Sequence, residues 1–317
     1  MSNKNLIIFD TDMDTDCDDA GAFAMLLQAH LQNKIELIGV IADSVSPYAA
    51  PCCEVIAEYY GVHIPFGTVF SDDYFDTESN IERFADYRRH SKNCMEQGRG
   101  YNYAFAKEIN KTDKDYPSAA TVYRKLLSAA ENNSVTVLCV GMLTAISETL
   151  NSKADEISPL SGVELFKKKV KKVITMGNPE KINDFNWGKD ALAAECFFEL
   201  CPCEILISAE GTGIVTGEHL SSGLDCEHPL RKAYEIWLGG PNRGRNSWDL
   251  VAALYAIDSD TSLLYYENLG DGFYSAAEKR FYKINEGNRN IKQILLSCEP
   301  QKMAEVLNDC MSGNFYI

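Results

Sequence analysis

Six carboxylates crowd into ten residues near the start of the chain, in Asp10-Thr11-Asp12-Met13-Asp14-Thr15-Asp16-Cys17-Asp18-Asp19. Anions this close repel one another unless a cation lies among them, so the spacing asks for a hard metal with oxygen ligands, Ca²⁺ or Mg²⁺. The elements that must hold such a cluster are readable on both sides of it. Leu6-Ile7-Ile8-Phe9 is an apolar run ending in turn-forming acids, which predicts a buried strand emptying its C-terminal end into a loop. In open α/β sheets that end is where ligands bind. Beyond the acids, Ala20, Phe23, Ala24, Leu27 and Leu31 recur at helical spacing, so Asp18 and Asp19 fall in the first turn of an amphipathic helix whose positive dipole end favours them. The plain alternative is a solvated acidic loop before a capped helix. An EF-hand loop fails in every register, because it needs Gly at its sixth position and Glu at its twelfth. Counted from Asp10 these are Thr15 and Gly21, from Asp12 Cys17 and Phe23, and from Asp14 Asp19 and Met25.

Strand and helix patterns alternate along the chain without a repeat, the mark of a mainly parallel sheet. Strands are predicted near Leu6–Phe9, Glu36–Ile41, Val135–Val140, Val170–Met176 and Glu204–Ser208. Helices are predicted near Asp18–Gln32, Tyr48–Tyr60, Ala119–Glu131, Ala191–Leu200, Pro229–Leu238, Ser247–Ile257 and Pro300–Cys310. The expected fold is thus one α/β domain over residues 1–317, an open, mainly parallel sheet flanked by helices. Residues 71–102 are rich in Asp, Arg, Asn and Gly and read as an excursion over the rim, a lid or an oligomer contact. Residues 273–296, with Gly287 between two β-rich runs, read as a terminal hairpin.

Composition narrows the partners. A formal charge of −16 repels nucleic acid and anionic membrane surfaces. No stretch is long or apolar enough to span a bilayer, and the first residues lead into a strand instead of a secretory signal. Eleven cysteines without framework spacing suggest a reducing cytoplasm. Cys52-Cys53 and Cys201-Pro202-Cys203 have no paired His spacing and read as buried or capping residues in preference to zinc ligands.

Two families share parts of this pattern. Ile7-Ile8-Phe9-Asp10-Thr11-Asp12-Met13-Asp14-Thr15 resembles the strand and Asp-x-Asp-x-Thr of the haloacid-dehalogenase-type phosphatases, with Asp10 as nucleophile and Mg²⁺ beside it. Its Thr falls one place late, and Met13 stands where Gly is usual. The second resemblance covers more of the chain. Asp10-Thr11-Asp12 followed by Asp18-Asp19-Ala20 resembles the opening of the inosine-uridine-preferring nucleoside hydrolases, with five residues, Met13 to Cys17, where the best-known members have three. Val140-Gly141-Met142-Leu143-Thr144, Ile174-Thr175-Met176-Gly177-Asn178, Asp184-Phe185-Asn186 and Trp248-Asp249 resemble that family's further motifs in the family's order.

That resemblance implies a Rossmann-like fold and hydrolysis of the N-glycosidic bond of a nucleoside by an activated water. It implies Asp12 as metal ligand and general base, with Asp19, Asp249 and the Thr144 carbonyl as further ligands of Ca²⁺. Asp18, Asp43, Asn178, Asp184 and Asn186 would then lie on the substrate side. Asp16 is a rival to Asp12 as base because of the longer loop, and Asp10 is assigned to holding that loop. Trp248 stands where the best-known members carry a His that protonates the leaving base, and an indole cannot act as an acid. The base would instead stack on Trp248, Trp187 or Tyr48. An inactive ribose-binding relative is the third reading. His30, His63 and His90 fall in no motif and read as surface or core, while His219 and His228 are too weakly placed to nominate. A homo-oligomer, dimer or tetramer, is expected.

Overall fold

The computed structural model describes residues 5–14, 16–69, 77–284, 287 and 289–315. Alternation within the apolar strands sets the architecture. In β1 (Leu6–Thr11) Ile7 and Phe9 enter one core and Ile8 the other. The same split follows along β4 (Val135–Cys139), β5 (Val170–Met176) and β6 (Glu204–Ser208), where Leu138, Ile174 and Leu206 face one way and Val137, Val173 and Ile205 the other. A strand apolar on both faces must be covered on both, so the sheet is the middle of three layers.

The remaining strands are β2 (Glu36–Ala42), β3 (Phe66–Thr68), the short ribbon partners β7 (Val215–Thr216) and β8 (Arg245–Asn246), then β9 (Leu264–Ser275), β10 (Arg280–Ile284) and β11 (Ile291–Leu296). The main sheet runs β10-β9-β11-β6-β5-β4-β1-β2-β3. It is parallel from β3 through β11, and β9 and β10 extend it antiparallel. One face carries α1 (Asp18–Leu31), α2 (Ala49–Tyr59), α5 (Tyr101–Ile109), α12 (Pro229–Leu238), α13 (Trp248–Ile257) and α14 (Pro300–Met311). The other carries α6 (Ala119–Ala129), α7 (Thr144–Asn151), α8 (Gly162–Lys169) and α10 (Ala191–Leu200). Short helices α3 (Glu78–Arg83), α4 (Ala85–Glu96), α9 (Phe185–Lys189) and α11 (Leu220–Gly223) lie in the connections. No helix among the described residues is long and apolar enough to cross a membrane.

Two sequence readings change here. Helix α1 is buried almost all round, with Leu31 exposed at its end, because it lies between the sheet and the helices α12, α13 and α14 and is not an amphipathic surface helix. The hairpin expected over residues 273–296 turns earlier. Arg280 pairs with Ser275, and β11 returns to the other side of β9, Leu296 opposite Leu264. The two runs flanking Gly287 are therefore not partners: β9, at twelve residues, is long enough to serve both. Residues 285, 286 and 288 of that reading, and residues 71–76 of the rim excursion, lie outside the described residues. The described part of the excursion forms α3, α4 and the start of α5.

Candidate active site

Strand order reverses at β1. The chain leaves it outward through β2 and β3 on one side and through β4, β5 and β6 on the other, so the loops diverge and open a crevice above the strand ends. Gly141 lets the β4 turn close on this point, since a Cβ there would sit 2.6 Å from the Asp12 backbone nitrogen.

The six acids of the β1–α1 loop do not form one cluster. Asp10 is fully buried and accepts a 2.5 Å hydrogen bond from the Tyr123 hydroxyl, with burial pushing its carboxyl up to about 8. It does not line the crevice, which removes it as a nucleophile and with it the phosphatase reading. Asp14 turns to the rim and accepts from Asn102 Nδ2 at 3.0 Å. Asp16 is held by the Arg245 guanidinium, whose Nε lies 2.9 and 2.8 Å from its two oxygens.

Asp18 and Asp19 converge with Asp249, at the start of α13, offering ligand atoms within 4.8 Å of one another. The helix starts are tied together, because the Asp249 backbone N–H donates to Asp18 Oδ2 at 3.2 Å, and the Thr11 hydroxyl donates to Asp19 Oδ1. All three acids are buried, and Asp249 Oδ1 has no hydrogen-bond partner. Burial first, and then the neighbouring carboxylates, raise all three well above the carboxylate range. Hard oxygen donors, mutually repelling, with one oxygen unsatisfied and Arg245 already engaged by Asp16, fit a divalent cation.

Asp12 lies outside that 4.8 Å group and lines the same crevice, its Oδ2 accepting from the Tyr87 hydroxyl at 2.9 Å. Thr144 is the first residue of α7, and its hydroxyl donates to Asp190 Oδ2 at 2.7 Å instead of capping the helix. Asp190 also takes Arg83 of α3 in an ion pair at 2.6 Å, tying the rim to this turn.

The crevice encloses about 550 Å³, and Asn178, Asp184 and Asn186 reach it from the β5 side. Asp184 caps α9 by accepting from the backbone N–H groups of Asn186 and Trp187 at 3.2 and 3.5 Å, and from that of Asn178 at 3.2 Å. Asn186 donates from Nδ2 to the Val140 carbonyl at 2.5 Å, which locks its amide against the β4 turn.

Three substrate-side expectations are corrected. Trp187 is fully buried among Phe198, Tyr274 and Phe281 and donates to Thr175 Oγ1 at 3.2 Å; it is core and no stacking platform. Asp43 is fully buried and accepts from the Ala145 N–H at 2.8 Å, so it anchors the start of α7 behind the crevice. Tyr48 packs on Tyr103 outside the crevice. Trp248 does line it, but its indole N–H donates to Thr212 Oγ1 at 3.0 Å and Arg245 lies over its ring at 5.0 Å.

Sequence reading missed the wall opposite. Tyr87, His90 and Cys94 of α4, together with Phe185, Trp237 and Arg245, surround or support the site. The spacing of Phe84, Tyr87, Ser91 and Cys94, all buried, is helical, and that faint stripe was the available signal.

A parallel sheet in Rossmann strand order with carboxylates gathered at its switch point defines an enzyme acting on a small ligand, with a site suited to a divalent ion. The model of the inosine-uridine preferring nucleoside hydrolases matches residues 7–288, and the chain belongs to that family of nucleoside-cleaving hydrolases. No curated protein sequence matches the chain. Its fold is similar to that of a plant nucleoside hydrolase, PpNRh1, with a TM-score of 0.66, 17% identity and 97% and 98% of the two chains covered. The inosine-uridine preferring nucleoside hydrolase of Bacillus anthracis gives 0.63, 16%, and 98% and 99%. The effector protein XopQ, solved with adenosine diphosphate ribose, gives 0.63, 13%, and 98% and 92%.

Proposed function

We propose that the chain hydrolyses the N-glycosidic bond of ribonucleosides to ribose and free base, with Asp12 as the general base. The observation that carries this is Asp12 on the same crevice as Asp18, Asp19 and Asp249, with its Oδ2 oriented by the Tyr87 hydroxyl. Asp16 is the weaker candidate because its oxygens are already taken by Arg245. Asp19 and Asp249 would hold Ca²⁺, with Asp12 and the Thr144 carbonyl completing the shell. Several carboxylates on one ion suit Ca²⁺ better than Mg²⁺, which keeps more of its waters. The chemistry a bound Ca²⁺ supplies is Lewis acidity toward the attacking water and the ribose diol.

The protein's own part is to orient and to move a proton. Asp18, Asn178, Asp184 and Asn186 bind the ribose hydroxyls, and Asp12 takes a proton from the water as positive charge develops at the anomeric carbon. Ribose turnover from a nucleoside panel, set against p-nitrophenyl phosphate, tests the reading: cleavage of the phosphate ester alone would overturn it. Saturable binding without turnover would select the inactive ribose-binding relative, a reading kept in view by Trp248, whose only N–H is already used.

A cytoplasmic location is proposed on eleven cysteines, all unpaired. A homo-oligomer is proposed on the exposed Tyr265, Tyr266 and Phe273 of β9, apolar surface that a second copy would cover; a monomer in sedimentation would refute it.

A further inference from the structure

Besides Asp12, Asp18, Asp19 and Asp249, the crevice is lined by His90, Asn93 and Cys94 of α4, by Phe185 of α9 and by Trp237 and Trp248, and the leaving base must lie among these less acidic groups. A leaving base needs a donor for the electron pair it carries away, and the indole of Trp248 is committed to Thr212. Three other protonatable groups, His219, His228 and Tyr234, are elsewhere. His219 contacts Ser312, His228 packs against Tyr59 and Tyr60, and Tyr234 lies buried against Gly21 and Met311; none of them lines the crevice.

His90 does line it, and among the described residues it is the one imidazole there. Its ring stands edge-on to Phe185 at 5.4 Å, and its Nε2 lies 3.7 Å from the Cys94 sulfur, so packing fixes it on two sides. The other ring nitrogen makes no hydrogen bond to the described residues. One helical turn before it, Tyr87 holds Asp12. At about 1.5 Å of rise per residue, Tyr87 and His90 stand about 4.5 Å apart along the axis of α4, on one face. Burial, and then Lys189, hold the ring below the ordinary histidine range, so at neutral pH it keeps a single N–H to give.

We propose that His90 hydrogen-bonds the leaving base, filling the role that Trp248 cannot. In the step, water oxygen bonds to C1′ and its proton passes to Asp12, the C1′–N bond breaks, and its electron pair stays on the base. The His90 N–H steadies that pair until the base takes a proton from solvent, and Asp12 returns its own to solvent. Phe185 lines the crevice beside it, with the Lys189 ammonium over its ring at 4.7 Å.

The inference rests on the nucleoside hydrolase reading, and the test separates the two. His90→Ala, His90→Gln and the wild type are assayed on inosine, uridine and p-nitrophenyl riboside, whose leaving group needs no donor. For His90→Ala we expect kcat on the nucleosides to fall about ten- to hundredfold, the cost of one hydrogen bond to developing charge. Turnover of the activated riboside should stay within about threefold. His90→Gln, which keeps an N–H, should recover part of the loss, and it also serves if the alanine variant folds poorly. Equal losses on all three substrates, or no loss on the nucleosides, would overturn the role of His90 while leaving the hydrolase reading standing. A wild type that cleaves no riboside at all would overturn both.

Discussion

Removing the divalent ion should leave a double signature in stability, because the acids that would hold it are poorly compensated without it. At free Ca²⁺ about a hundredfold above Kd, binding stabilises the native state by about 2.7 kcal/mol. At about 2.1 cal/mol/K per residue, a chain of 317 residues unfolds with an entropy of about 0.67 kcal/mol/K, so Tm should fall by about 4 °C in EDTA and recover with Ca²⁺. Asp249→Asn gives the second half. Its carboxylate is buried, one oxygen lacks a partner, and Asp18 and Asp19 crowd it. Neutralising it should therefore stabilise the ion-free protein by about 1 to 3 kcal/mol, raising its Tm by about 2 to 4 °C. The same substitution should cancel most of the gain from Ca²⁺. Differential scanning calorimetry of both proteins, with EDTA and with graded Ca²⁺, reads all four states. An unchanged wild-type Tm across the series, or a variant that gains as much from Ca²⁺ as the wild type, would refute the metal site.

Asp12→Asn should lower kcat on p-nitrophenyl riboside by about two to four orders of magnitude with the fold intact by circular dichroism, whereas Asp16→Asn should stay within about tenfold of wild type. The reverse order would move the base to Asp16. Tyr87→Phe deletes one hydrogen bond to Asp12 and should lower kcat about five- to twentyfold with KM nearly unchanged; a change confined to KM would show that Tyr87 acts on the substrate instead. Trp187→Ala should cost about 3 to 5 kcal/mol and about 4 to 7 °C in Tm. Nucleoside KM, corrected for folded fraction, should not move, and a large rise in it would restore Trp187 as a stacking platform.

The parallel sheet and the position of the acids were legible because local pattern and tertiary need agree there. Leu6–Phe9 is apolar on both faces, so the strand had to be central, and the ligand end followed from the topology. What each acid does was not legible. Asp10, Asp14 and Asp16 differ from Asp18 and Asp19 only in which distant residue meets them: Tyr123, Asn102 and Arg245 lie 113, 88 and 229 positions away. Such pairings are made by the fold and leave no trace in spacing. Trp187 misled for a related reason. A tryptophan beside a matched motif suggests stacking on a substrate, but the first turn of α9 points its next residue down into the core. The wall built by α4 stayed hidden because its buried positions are Tyr, Ser and Cys, which hardly register as an apolar stripe.

The crevice is assembled from parts with different architectural standing. The carboxylates sit at the ends of buried strands and at the starts of buried helices, where a substitution disturbs the core. The wall facing the leaving group comes from α4, a connection between β3 and β4 that pairs with no strand. Changes along the crevice side of α4 can therefore alter which base is accepted while the hydrolytic centre stays as it is, provided Tyr87 is kept. For a designer, this makes α4 and its C-cap a cassette: libraries at positions 90, 93 and 97, all of which border the crevice, would explore leaving-group range at little risk to folding.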